Sequence, residues 1–125
     1  MQTRFLIIAG ILGFTGVLAG TVAAHVIQKQ ITSEKLETFK TGVHYHLLHA
    51  AAVLGVAAVA AGDRRKCIAA AGWLFTLGVL LFSGSLYVYA CWNVKLFAHV
   101  APFGGGAMMA GWIGLIVAGV MRRRG

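Results

Sequence analysis

The side chains able to do chemistry in this chain are five histidines, with tyrosines and serines spaced along the same segments. His25 closes a first apolar run, His44, His46 and His49 open a second, and His99 stands just before a fourth. An imidazole in or near hydrocarbon is costly unless it is paired, so this grouping defines a candidate site. His46 and His49 are three residues apart and, on a helix, fall within about 60° of each other, whereas His44 faces nearly the opposite way. Tyr45 shares a face with His49. In the third run Ser83 and Tyr87 share one face and Ser85 and Tyr89 another, which makes these hydroxyls the natural hydrogen-bond partners for imidazoles at that depth.

Two kinds of chemistry fit such a set. If His25, His46, His49 and His99 converge, they match the nitrogen ligand set of Zn or Cu, and a facing pair could hold haem axially. Otherwise each imidazole hydrogen-bonds a hydroxyl or carbonyl across helices and fixes the register of a bundle. The second reading, with no cofactor, is the expectation carried forward; a Cu, Zn or haem protein is the alternative. Met108 and Met109 lie inside the fourth run and are read as packing rather than copper ligands. Cys67 and Cys91 stand about 36 Å apart on one helix and cannot pair within the chain.

The elements that must position these groups are legible from composition. The chain has 125 residues, of which 59% are hydrophobic and three are acidic, with a mean hydropathy of +0.82. That is an integral membrane protein rather than a soluble domain. Four stretches lack Lys, Arg, Asp and Glu altogether: Phe5 to Gln28, Thr41 to Gly62, Cys67 to Val94, and Leu96 to Met121. Each exceeds the roughly 20 residues that cross about 30 Å of hydrocarbon as a helix, and none shows the alternation of a barrel strand. The expected fold is an all-α bundle of four transmembrane helices, spanning about 5–27, 42–62, 67–90 and 101–121 within one domain.

The net charge of +8 does not point to nucleic acid, because the cations sit at segment ends rather than in a stripe. Arg4, Arg64, Arg65, Lys66, Arg122, Arg123 and Arg124 fall on one side; Lys29, Lys35, Lys40 and Lys95 fall on the other, offset by Glu34 and Glu37. The positive-inside rule then places both termini in the cytoplasm of a plasma-membrane protein, with the histidines towards the outer face. The first run resembles a signal peptide with Val22-Ala23-Ala24 as a cleavage site, but its length favours a retained span.

Small residues mark the expected helix contacts. Gly13, Gly16, Gly20 and Ala24 form a stripe on the first span; Ala107, Ala110, Gly111, Gly114 and Ala118 form one on the fourth. Gly104 and Gly105 are read as a further close contact, since the Gly104-Gly105-Gly106 run lacks the Lys and Ser/Thr of a phosphate loop. Between the first two spans, Ser33 as N-cap, Glu34, and Leu36, Phe39 and Val43 on one face predict a short interfacial helix ending near Gly42. Asp63 to Lys66 is a tight turn, and Tyr89, Trp92 and Phe97 are interfacial anchors around the last connection. No carboxylate lies within a span, which argues against an exchanger driven through an intramembrane Glu.

The string Leu81-Phe82-Ser83-Gly84-Ser85-Leu86-Tyr87 resembles the signature of small four-helix membrane proteins catalogued as domain of unknown function 423, a family that includes transmembrane protein 256. Gly20 to His25, Thr41-Gly42-Val43 with Tyr45 and His49, Pro102 with Gly104 and Gly105, and Gly111-Trp112 extend the likeness over nearly the whole chain. Ala23 and Ala101 depart from the family pattern, where a glycine and a threonine are usual. The resemblance implies the fold and topology but no activity. It places His25, His49 and Tyr87 at family-typical positions and His46 at a variable one, which implies a cluster of the first three.

The function expected from all this is a non-enzymatic accessory or structural bundle with a polar His/Tyr/Ser cluster in the outer leaflet. Its partners would be the lipid bilayer and a homo-oligomer or larger membrane complex. The alternatives are a metal- or haem-binding protein of respiratory assembly or metal handling, and a small channel or carrier.

Overall fold

A computed structural model describes residues 1–124 as four long helices: α1 (Gln2–His25), α2 (Ser33–Ala60), α3 (Lys66–Trp92) and α4 (Lys95–Arg124). All four are long and apolar enough to cross a membrane, and only helices or closed barrels satisfy their backbone in hydrocarbon. The closest helix pairs are α3 with α4, α1 with α2, and α2 with α3. Helices α2 and α3 are therefore the centre of the bundle, and α1 and α4 lie on its flanks.

The interior is apolar and filled. Phe5, Phe75, Ile68, Val53 and Val56 are each under 2% exposed. Glycine lets these rings in: a Cβ on Gly72 would collide with the Phe5 ring, and one on Gly111 would stand 2.6 Å from Phe75. Lipid offers no hydrophobic drive between helices, so such close approach supplies the packing energy.

The helix bounds correct several expectations. The predicted interfacial helix is not a separate element, because α2 runs unbroken from Ser33 to Ala60 and a 3-10 turn, Ile27–Lys29, precedes it. Gly42 does not end a helix; a Cβ there would lie 2.8 Å from the Tyr87 ring, so this glycine serves a contact between α2 and α3. The N-cap is Thr32 rather than Ser33, its hydroxyl accepting from the Lys35 amide at 3.3 Å. The last connection is also shorter than the run from Trp92 to Pro102 implied. Asn93 closes α3 in the left-handed region (φ 54°) with its amide on the Tyr89 carbonyl at 2.9 Å. α4 restarts at Lys95 and carries Pro102 inside it. Lys35 donates to the Asn93 side chain, which ties the start of α2 to this corner.

The small-residue stripes are partly corrected too. Gly16 lies against Leu47 and His46, Gly20 against Val43, and Gly114 against Cys67 and Ala71. Gly105 has only the Phe82 ring at 3.8 Å, and Gly13 has nothing within 4 Å of a Cβ. Gly13 is partly buried and lines an open groove between α1 and α2, with Val17 on one side and Leu47 and Ala51 on the other, rather than a close contact.

Candidate functional site

Two of the five histidines are buried, both on α2, and they face different seams. His46 is 7% exposed and His49 is 2% exposed. His49 lies about 16 Å along α2 from Ala60, near the middle of the membrane.

His46 bridges three helices. Its Nδ1 is 2.9 Å from the Tyr87 hydroxyl of α3, and its Nε2 is 3.1 Å from the Thr15 hydroxyl of α1. Thr15 donates its own proton to the Ile11 carbonyl at 2.8 Å, so its oxygen accepts from Nε2–H. Nδ1 is then the acceptor, and Tyr87 donates to it. In the uncharged ring that burial in hydrocarbon favours, a chain of donors runs from Tyr87 through His46 and Thr15 to the α1 backbone.

His49 shows the opposite tautomer. Its Nδ1 stands 2.9 Å from the Tyr45 carbonyl, which can only accept, so Nδ1 carries the proton. Its Nε2 accepts from the indole N–H of Trp112 on α4 at 3.1 Å. Aromatic rings surround it: the Phe75 ring centroid lies 5.4 Å from that of His49 and 4.9 Å from that of Trp112. Tyr45 stacks parallel to His49 at 6.2 Å and meets Phe82 edge-on at 5.0 Å. Ser83, fully buried, donates to the Gly42 carbonyl at 2.7 Å, stitching α3 to α2 beside the His46 seam.

The remaining predicted residues lie elsewhere. His25 is exposed at the end of α1, about 15 Å along that helix from Thr15, so the His25, His49 and Tyr87 cluster is not formed. His99 is exposed on α4, about 20 Å from Trp112. Ser85 is buried at 3% exposure, turned about 200° around α3 from Ser83. His44 is exposed.

This geometry bears directly on metal and haem. A neutral imidazole has one lone pair, and in both buried histidines that lone pair already accepts a hydrogen bond. They also point into different seams and cannot face one another across a haem. No three His, Cys, Asp or Glu side chains are grouped as metal ligands among the described residues. The three-histidine set of His25, His46 and His49 is thus not assembled.

A second polar cluster, missed in the sequence, closes the basic end. Asp63 is 7% exposed. Both its oxygens accept from Arg65, with Nη2 at 2.6 Å from Oδ2 and Nε at 2.9 Å from Oδ1, and Oδ1 also accepts from the Arg65 amide at 3.1 Å. Arg65 donates further to the Ala118 carbonyl of α4 at 2.8 Å, which binds the α2–α3 turn to the last helix. The Arg65 hydrogen bonds hold the Asp63 carboxyl down, to a pKa of about 2. The signal was available: Asp63 is the only carboxylate among the cations of that end.

Comparison with known proteins agrees with this architecture. A family model described as "Protein of unknown function (DUF423)" matches residues 19–105. The chain belongs to this family. The DUF423 match covers the two buried histidines, Tyr87 and the Gly104 contact, and stops short of Trp112. The UPF0382 inner membrane protein YgdD of Escherichia coli (strain K12) is 37% identical over 131 residues, covering 99% of this chain and 95% of its own length. The UPF0382 membrane protein YwdK of Bacillus subtilis is 35% identical over 119 residues, covering 93% and 95%. A UPF0382 membrane protein of Haemophilus influenzae is 34% identical, covering 92% of each chain. None of these names states a reaction. No solved structure matches the chain.

Proposed function

We propose that this DUF423 protein is a non-enzymatic plasma-membrane subunit whose buried histidines lock the four helices in register. One observation carries the reading: every nitrogen of His46 and His49 is committed to a partner, leaving no free lone pair or acidic proton for catalysis or ligation. Three of the four partners lie on α1, α3 and α4 and the fourth is the Tyr45 carbonyl of α2 itself, so two residues of α2 tie it to every other helix. The interior between the helices is occupied by Phe5, Phe75 and branched aliphatic side chains, which offer no polar lining for a channel. The lateral surface is broad and apolar, with Phe14, Leu80, Phe103, Met109 and Ile116 all more than 60% exposed. In this reading the protein meets lipid and other membrane subunits, or further copies of itself, through that surface.

The orientation belongs to the same proposal. Seven of the eleven basic residues gather at the end formed by the α2–α3 turn and the two termini, so this end is cytoplasmic and the His46 seam lies towards the outer leaflet.

The test is purification in mild detergent, metal analysis and an absorbance spectrum, with thermal unfolding of the wild type and His46→Leu. The expected outcome is a lower melting temperature in the variant, with neither a Soret band nor stoichiometric Cu or Zn in either protein. Stoichiometric metal or haem in the wild type that is lost in His46→Leu overturns the proposal in favour of a ligand-binding protein.

A further inference from the structure

The basic end holds a feature that the histidine lock does not explain. Arg4, Arg64, Arg65, Lys66, Arg122, Arg123 and Arg124 are offset there by Asp63 alone. Between the end of α2, the start of α3 and the last turns of α4 lies a cleft of about 270 Å³. Its apolar lining is Val59, Ile68, Leu115 and Ala118, and its polar lining is Arg65, Arg122 and the Asp63 carboxylate that both arginines pair with.

The two arginines are not equivalent. Arg65 commits Nε and Nη2 to Asp63 and the Ala118 carbonyl, which fixes its plane against α4. Arg122 only approaches the same carboxylate, with Nη2 3.6 Å from Oδ2, and its side chain is 63% exposed. That separation makes an ion pair but exceeds a hydrogen bond, so the N–H groups of Arg122 can still take a closer acceptor at the mouth of the cleft. Gly119 lines the same space, and a Cβ built there would meet nothing within 4 Å. The wall is therefore open beneath the Arg122 guanidinium.

We propose that this cleft seats an anionic phospholipid, with a phosphate oxygen on Arg122 and an acyl chain along Val59, Leu115 and the open face of Gly119. The occupant follows from the two halves of the site taken together. A guanidinium pairs bidentately with phosphate, and basic pockets between helices suit anionic head groups. A soluble phosphate would use the rim and leave the apolar wall bare. A zwitterionic lipid would bring its own cation to a rim that is already positive. Asp63 contributes by holding Arg65 against α4, so the rim is set before the lipid arrives. None of this depends on the histidine seams.

The test is native mass spectrometry of the detergent-purified full chain, delipidated and then offered phosphatidylglycerol and phosphatidylcholine together. Phosphatidylglycerol adducts are expected to dominate by several-fold. Arg122→Gln, which removes the guanidinium, and Gly119→Phe, which projects a ring into the open wall from a Cβ that itself meets nothing within 4 Å, should each lower them several-fold. Arg64→Gln, an exposed cation that does not line the cleft, should leave them unchanged, and circular dichroism should show the same helicity in all variants. Equal adducts of the two lipids overturn the proposal. So does a phosphatidylglycerol preference that falls as far in Arg64→Gln as in Arg122→Gln, which means diffuse surface charge. Displacement by millimolar inorganic phosphate overturns it as well, since the rim alone would then be the site.

Discussion

The Tyr87 hydroxyl donates to Nδ1 of His46 across 2.9 Å, joining the third helix to the second inside the membrane. The same imidazole donates onward to Thr15 at 3.1 Å. A tyrosine and a histidine 41 positions apart thus form the middle of a three-helix link.

That link has a measurable coupling. Tyr87→Phe leaves Nδ1 unpaired but keeps the ring against Gly42 and Phe39, so it should destabilise by about 0.6 to 1.7 kcal/mol, the span measured for hydrogen bonds between membrane helices. His46→Leu strands the Tyr87 hydroxyl as well and should cost about 1 to 3 kcal/mol. Unfolding of both single variants and the double variant in detergent gives the coupling directly. Strictly additive losses would show that the hydrogen bond contributes nothing to stability.

Acid should release the other cluster. Because the folded Asp63 carboxyl is held at about 2, below an unfolded value near ~4, its contribution to stability is fully present above that unfolded value. It is lost as pH falls towards the folded one. Melting temperatures of the wild type and Asp63→Asn should therefore differ at pH 7 and converge between about pH 4 and 2. A difference that persists unchanged at pH 2 would place the effect of Asp63 in something other than its charge.

The cation asymmetry is checked by reporter fusions at Gly62 and after Arg124. Both should report cytoplasm, since Arg64, Arg65 and Lys66 flank one site and the final arginines precede the other. Periplasmic signals from both would reverse the placement of the His46 seam, and a periplasmic signal from one alone would break the four-span topology.

The four spans were legible because charge-free runs of this length admit one solution in lipid, and Ser83 and Tyr87 were legible as hydroxyls at the right depth. The partners were not. Periodicity shows that His46 and His49 share a broad face, but which neighbour each meets depends on how α2 is rotated between its flanking helices. His25 and His49 belong to the same family-typical set, yet α1 carries His25 to its very end while α2 begins two turns before its apolar run. Their depths therefore separate. Thr15 hides in the sequence because it already bonds its own helix, and Trp112 because a mid-span indole looks like packing until its N–H finds an acceptor.

The glycines provide the sharpest discrimination between packing and surface. A Cβ on Gly104 would fall on the backbone of Phe82, which cannot swing aside, and one on Gly111 would press into the Phe75 ring that fills the space beside His49. Gly104→Ala and Gly111→Leu should each overpack the α3–α4 contact and destabilise it by about 1 to 3 kcal/mol. Gly13 stands in open space, so Gly13→Ala should be neutral or stabilising by up to ~1 kcal/mol through helix propensity. Gly13→Leu separates two roles for that open face. If α1 meets only lipid there, melting temperature and assembly state stay as in the wild type. If a second subunit docks on it, the monomer keeps its helicity and melting behaviour while crosslinking and size-exclusion show an oligomer lost. Unfolding of Gly13→Leu comparable to that of Gly111→Leu would instead mean that α1 packs on α2 through the Gly13 face, contrary to the geometry found here.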